Sequence, residues 1–439
     1  MHAKSANKVL KCGRWPNLAT TNRTPEVGVV ILTGGIDRPY TFGLVMELFA
    51  KGAILDVIGS DGVDFPEFHG KRGLNFLNLQ GDQRPDVTLH RKVFRLLKYY
   101  AKLFSYSFTA KPKIFHVLWN NKFEFFDRTI LMLFYKGLGK KIVLTVHNVN
   151  AAKRDSKDSR LNRFTLRFQY RRADGIFVHT EAQKLELINE FGVQAARITV
   201  IPFGINNAVP NTQLTPTEAK HRLGIPDDKK TILFFGRITP YKGLEYLVTA
   251  FQRAAAQGDE YRLIIAGRPE NDCQEYWRAL QERIEGDVRE GRVLLRADHI
   301  PDEETELYFK AADVLVLPYR RIYQSGVLYL GHSFGLPVLA ADVGSLKDEI
   351  VEGKTGFLFK SEDSDDLSIT INRYFASELF AKLSSRRQDV REFAAGRHSW
   401  DVVGQMTMCV YAGLLRIPST GEYSNDDASR ASLNVKAPS

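Results

Sequence analysis

The sequence predicts an α/β protein built as two doubly wound, parallel-sheet domains in series, on three observations. Short apolar runs alternate with segments of helical spacing along most of the chain, the pattern of successive βαβ units. That pattern breaks once, at the polar, Pro-containing segment INNAVPNTQLTPTEAK (205–220), and then starts again. The chain's 439 residues also exceed one ordinary core, since domains run to about 100–200 residues.

The first half opens with VGVVILTGG, an apolar run ending in a glycine pair, then TFGLVMELFAKG at helical spacing and the strand AILDVIGS. A long polar loop is expected from Asp61 to Pro85, followed by the basic, helically spaced LHRKVFRLLKYYAKLFSYSF. The remaining strands of this half are IFHVLW, KIVLTVHN, GIFVHT and RITVIPFG. In the second half TILFFG, YRLIIAG, RVLLRA, DVLVLP, PVLAAD and TGFLF are strands with helices between them. Two Rossmann-like domains of this kind bind a ligand in the cleft between the carboxyl ends of their strands. The expected layout is a disordered leader over 1–26, domains over 27–208 and 209–397, a helix over 398–417 packing back on the first domain, and a disordered tail over 418–439.

Composition sets broad limits. Hydrophobic and charged fractions of 44% and 26% are those of a soluble globular chain. No run of 18 apolar residues spans a membrane, and the leader lacks a signal-peptide core, so a cytoplasmic protein is expected. The three cysteines, Cys12, Cys273 and Cys409, have no CxxC spacing and predict neither disulfides nor a zinc site. The net charge of +10 favours acidic partners, which include nucleotides, nucleic acid and anionic lipid.

The stretch TILFFGRITPYKG (231–243) narrows that choice. An apolar strand ends at Gly236, the turn carries Arg237 and Lys242, and Gly243 opens a helix, so two cations and a helix N-terminus converge. Backbone N–H groups and the helix dipole favour phosphate there. An arginine fork beside a lysine charge holds a diphosphate without metal. Gly34 and Gly35 end the first strand, where loss of Cβ lets backbone approach a ligand. His147 closes the strand KIVLTVH, again at the expected cleft.

The order Gly34-Gly35, His147, Ile201-Pro202-Phe203-Gly204, Gly236-Arg237 with Lys242-Gly243, Asp313, Gly335-Leu336-Pro337-Val338 and Ser399-Trp400 resembles family 4 of the retaining GT-B glycosyltransferases. The resemblance implies that Arg237 and Lys242 hold the diphosphate of a nucleotide-sugar donor, that His147 faces the donor sugar, and that neither metal nor other cofactor takes part. It implies a saccharide or lipid-linked acceptor and retention of configuration. The family's Glu-x7-Glu pair is absent, because an ungapped alignment puts Ile322 and Leu330 there. Gln324 offers an amide instead, and the N–H groups of Ser325, Gly326 and Val327 at a helix start can receive phosphate or sugar oxygens. The lost pair leaves a catalytically silent scaffold of a polysaccharide assembly complex, or a nucleotide-sugar epimerase, as alternatives.

Two basic stretches, Leu89–Phe108 and Lys153–Arg172, mix Arg and Lys with Phe, Tyr and Leu at helical spacing. Such a surface suits peripheral contact with an anionic membrane, or else it is a core-facing stripe with a solvated basic face. No nucleic-acid module is recognised.

Overall fold

The computed structural model describes residues 27–34, 37–83, 88–121, 123–154, 157–205, 209–256 and 258–416. The expected leader, the expected tail and Gly35 lie outside them. The first domain holds seven strands: β1 (Gly28–Leu32), β2 (Ile54–Ser60), β3 (Leu74–Gly81), β4 (Ile114–Val117), β5 (Lys141–Thr145), β6 (Gly175–Val178) and β7 (Ile198–Val200). They lie parallel in the order β3-β2-β1-β4-β5-β6-β7. The second domain holds β8 (Lys230–Phe235), β9 (Tyr261–Ala266), β10 (Val293–Arg296), β11 (Val314–Leu317), β12 (Val338–Ala341) and β13 (Gly356–Phe359). Their order is β10-β9-β8-β11-β12-β13. The doubly wound α/β class is therefore as the strand-helix alternation predicts.

Continuous apolar runs form these strands because both faces of each sheet are covered. In the first domain one face carries Val30, Phe115, Leu144 and Ile176, and the other Val29, Ile31, Val143 and Phe177. The second domain repeats this with Ile232, Phe234, Leu263 and Val316 on one face, and Leu233, Ile264, Leu315 and Val338 on the other.

Three sequence expectations are corrected. The polar loop Asp61–Pro85 contains β3, which pairs in parallel with β2 from Leu55↔Leu74 onward. Asparagines at 75 and 78 hide its apolar alternation, and they are satisfied locally, Asn75 by Asp56 at 2.8 Å. The interdomain segment is not all linker: the N-cap Thr215 and Glu218 in the first turn form a capping box, and the helix Pro216–Arg222 begins there with Pro216 at its first position. Finally, Cys409 is disulfide-bonded, whereas Cys273 is free. Spacing along a chain does not register which thiols the fold brings together.

The helix Trp400–Leu415 packs on the helix Arg38–Ala50 and contributes Trp400, Val403 and Tyr411 to the first domain's core. The Tyr411 hydroxyl lies 2.6 Å from Nδ1 of His116 beneath the sheet. Among the described residues, no helix is long and apolar enough to cross a membrane.

Candidate functional site

In each sheet the strand order reverses at one point, between β1 and β4 in the first and between β8 and β11 in the second. A doubly wound sheet opens a crevice at the carboxyl ends of the strands flanking such a point. In the second domain those ends carry Gly236-Arg237 and Tyr319-Arg320. In the first they carry Thr33-Gly34 and Leu118-Trp119, with His147 and His179 following β5 and β6.

Gly236 has φ of 105°, a backbone state that favours glycine. A Cβ there would meet Lys242 Nζ at 2.7 Å and Val327 at 3.5 Å, so the Lys242 ammonium lies directly against the turn. Lys242 is buried and sits 5.6 Å from the centre of the Tyr319 ring. A short 3₁₀ turn, Pro240–Lys242, precedes Gly243, which caps the helix Leu244–Ala255.

Arg237 points the other way. It is 69% exposed and pairs with Glu270 at 2.7 Å, and it lines a cavity of about 720 Å³ together with Lys157, Arg320, Asp272 and Glu362. Lys157 comes from the first domain and bridges to Asp272 of the second. Arg320 pairs with Glu245 and lies 3.8 Å from Glu362. Lys157, Arg237 and Arg320 are thus each held by a neighbouring carboxylate, and Arg321 also lines the cavity.

The helix Gly326–Ser333 begins beside this turn, with Ser325 as its N-cap and Ser325 Oγ 3.2 Å from the Tyr319 hydroxyl. A helix start leaves backbone N–H groups without intrahelical partners. Both amide atoms of Gln324 are buried with no hydrogen-bond partner among the described residues. Leu330 is buried in the second domain's core and Ile322 packs against it. The positions at which the family carries glutamates therefore belong to the packing.

On the facing domain, His147 stacks on Trp119 with ring centres 4.1 Å apart and planes 5° from parallel. Its Nδ1 lies 3.3 Å from Nε2 of His179, whose Nδ1 is 3.3 Å from the Ile201 carbonyl. Burial lowers the pKa of His179 to about 4, and burial, with the neighbouring His179 and His116, lowers that of His147 well below its ordinary value. Both rings are neutral near pH 7. His179 must donate from Nδ1 to the carbonyl, so it accepts from His147 Nδ1, and His147 Nε2 is left as an acceptor without a protein partner.

His147 lines a second pocket of about 370 Å³, whose walls include Trp119, Glu124, Arg128, Asn162 and Gln169. Gly34 has φ of 49°, and a Cβ on it would lie 1.9 Å from the Trp119 carbonyl oxygen. Its glycine character thus serves the close packing of two strand-end loops. Asp37 caps the helix Arg38–Ala50. Burial raises its pKa, against the opposing Tyr40 N–H and the charge of Arg237 across the cleft.

The fold thus gathers Gly236, Lys242 and Val327 at one turn, with Gln324 and Ser325 at the adjoining helix start, and Gly34 with His147 through Trp119. Arg237 lines the adjoining cavity beside Glu270. Trp119, His179, Lys157 and Arg320 escaped the sequence reading. Trp119 and His179 carried a usable signal, since each follows an apolar strand at its carboxyl end; Lys157 was absorbed into a basic stretch.

Two family models match the chain: Glycosyltransferase Family 4 over residues 39–209 and Glycosyl transferases group 1 over residues 216–396. Among curated relatives, D-inositol 3-phosphate glycosyltransferase of Corynebacterium urealyticum is 27% identical over 269 residues, 59% of this chain and 61% of that protein. An uncharacterized glycosyltransferase of Methanocaldococcus jannaschii is 28% identical over 239 residues, 53% of this chain and 58% of that one. The chain spans only about half to three fifths of the length of the curated relatives it matches. In fold it is similar to sucrose-phosphate synthase of Thermosynechococcus elongatus, with TM-score 0.68, 20% identity, and 90% and 100% of the two chains covered. HepE of Anabaena, solved with UDP and glucose, has TM-score 0.67 at 17% identity, with 89% and 100% covered.

Proposed function

The chain belongs to the group 1, family 4 glycosyltransferases, and from that premise we propose that it moves a sugar from a nucleoside-diphosphate sugar to a saccharide or lipid-linked hydroxyl, with retention of configuration. In that step the anomeric carbon exchanges its bond to a diphosphate oxygen for one to the acceptor oxygen, and the acceptor proton leaves with the nucleoside diphosphate.

The observation that carries this reading is the turn at Gly236, which sets the Lys242 ammonium against bare backbone at the switch point of the second sheet. Lys242 and the helix start at Ser325–Val327 receive the diphosphate, and Arg237 closes on it from the cavity wall. Arg237 is held by an exposed ion pair with Glu270, and such pairs contribute only about 0–1 kcal/mol. A diphosphate, with more charge and more acceptor oxygens, therefore displaces the carboxylate readily. Cationic groups fixed in this way stabilise the departing diphosphate without a metal. Gln324 supplies the amide that reads the donor where the family has a glutamate. His147 Nε2 accepts a hydroxyl hydrogen on the sugar, and Gly34 and Gly35 let the first domain's backbone approach the donor sugar and the acceptor. Peripheral contact with an anionic membrane brings a lipid-linked acceptor within reach.

The test is turnover. UDP-, GDP- and ADP-sugars are incubated with an acceptor extract, uridine donors first because HepE was solved with UDP-glucose. The reading requires extract-dependent release of one nucleoside diphosphate and a glycoside whose anomeric configuration matches the donor's. A sugar altered without acceptor would make the protein an epimerase, and no turnover of any donor would make it a scaffold.

A further inference from the structure

Most of the exposed large apolar side chains among the described residues fall between residues 93 and 164. They sit on three neighbouring helical segments of the first domain: Leu89–Thr109, Glu124–Gly137 and Arg160–Arg172. Phe104 meets Phe134 at 4.4 Å and Phe108 meets it at 5.2 Å, which joins the first segment to the second. Arg128 donates to Asn162 at 2.9 Å, which joins the second to the third.

On the first helix, spacing sorts the residues into three strips. Tyr99, Tyr100 and Leu103 are buried in the core. Phe94, Leu97 and Phe108 lie on the next strip and remain 66%, 63% and 67% exposed. Arg91, Lys98 and Lys102 follow, all exposed. The apolar arc is wider than the core it covers, so one helix carries a core stripe, an exposed apolar strip and an exposed basic strip. The third helix repeats the design, with Leu166 and Tyr170 buried and Leu161 and Phe164 each 59% exposed. Neither helix contains an Asp or Glu.

We propose that these three segments form a docking face for an anionic bilayer, with the phenylalanines and leucines entering the headgroup boundary and the Lys and Arg side chains meeting anionic headgroups. Exposed apolar area of this extent marks an interaction surface. A basic rim around it selects anionic lipid. The same rim opposes a second copy of this chain, because two such faces would bring like charges together. The second and third segments also supply Glu124, Arg128, Asn162 and Gln169 to the pocket beside His147. Docking therefore sets the mouth of that pocket at the lipid surface, a consequence that rests on the sugar-transfer reading, whereas the docking itself does not.

The experiment is co-sedimentation of the purified full chain with vesicles of phosphatidylcholine containing about one third phosphatidylglycerol, and with pure phosphatidylcholine. Partition into anionic vesicles is expected to exceed that into neutral ones by at least about tenfold. A triple variant, Phe94→Ser, Leu97→Ser and Phe164→Ser, should lose at least about tenfold, since each side chain carries roughly that much burial. Leu185→Ser, an exposed leucine on the helix Glu181–Phe191, should bind as the wild type does. In Phe94→Trp, indole emission should shift to the blue on adding anionic vesicles. Lys242→Met should dock normally, so that failures of docking and of sugar transfer are read separately. Absent binding, equal binding to neutral vesicles or equal binding by the triple variant would overturn the proposal. So would a dimer in sedimentation velocity that the triple variant dissociates.

Discussion

Lys242 Nζ lies 2.7 Å from the point that a Cβ on Gly236 would occupy. The turn and the ammonium are thus one unit: the glycine makes room, and the lysine charge fills it beside open backbone. Gly236→Ala should impose strain of about 1–3 kcal/mol at a φ of 105° and push the ammonium aside. The expected result in calorimetric titration is at least about a tenfold rise in the nucleotide Kd, with a lowered Tm. Unchanged affinity would separate the turn from donor binding.

Gln324 tests the replacement of the missing glutamates. Its amide is buried without a protein partner, a state that costs about 1–3 kcal/mol. Gln324→Leu should therefore leave the folded protein equally or more stable while lowering kcat/KM for the donor by at least about tenfold. Measuring Tm beside kcat/KM separates a binding amide from a structural one, because loss of stability would identify the latter.

His147→Phe preserves a ring against Trp119 and removes the bare Nε2 acceptor. With the fold retained, kcat should fall by about a hundred- to a thousandfold, the scale of one hydrogen bond aimed at developing charge. A circular dichroism melt near that of the wild type together with unaltered kcat would remove His147 from the chemistry.

Acid should weaken the fold through its buried histidines. Burial lowers His116 to about 3 and His179 to about 4, from an ordinary value of 6.5. Above pH 6.5 neither folded nor unfolded chain carries these protons, and their contribution is complete. As pH falls through 6.5 the unfolded chain binds protons that the folded one refuses, so stability drops by about 1.4 kcal/mol per pH unit for each histidine. Urea unfolding between pH 7 and 5 should show this slope, reduced by one proton in His116→Asn. Equal slopes would mean that His116 is not linked to folding.

The fold was largely legible because buried parallel strands announce themselves as apolar runs, as in VGVVILTGG or TILFFG. β3 was not, because Asn75 and Asn78 break its alternation and find their partners, Asp56 and Asp61, only in three dimensions. At the site, Gly236, Arg237 and Lys242 could be singled out as candidates because they lie within seven residues of one another along the chain. His147 was singled out as well, but its contacts with Trp119 and His179 were not, since they join the ends of three strands. Lys157 could not be assigned either, because its partner Asp272 lies in the other domain. The disulfide at Cys409 escaped because spacing along the chain does not show which thiols meet.

Calorimetric titration of UDP, GDP and ADP into the wild type and Lys242→Met tests the account most directly, since methionine keeps the buried stem and removes only the charge. The account predicts that one nucleotide binds the wild type and loses about 1.5–3 kcal/mol in the variant, the scale of a charge-assisted hydrogen bond. Equal affinity in the two proteins, or binding of none of the three, would contradict it.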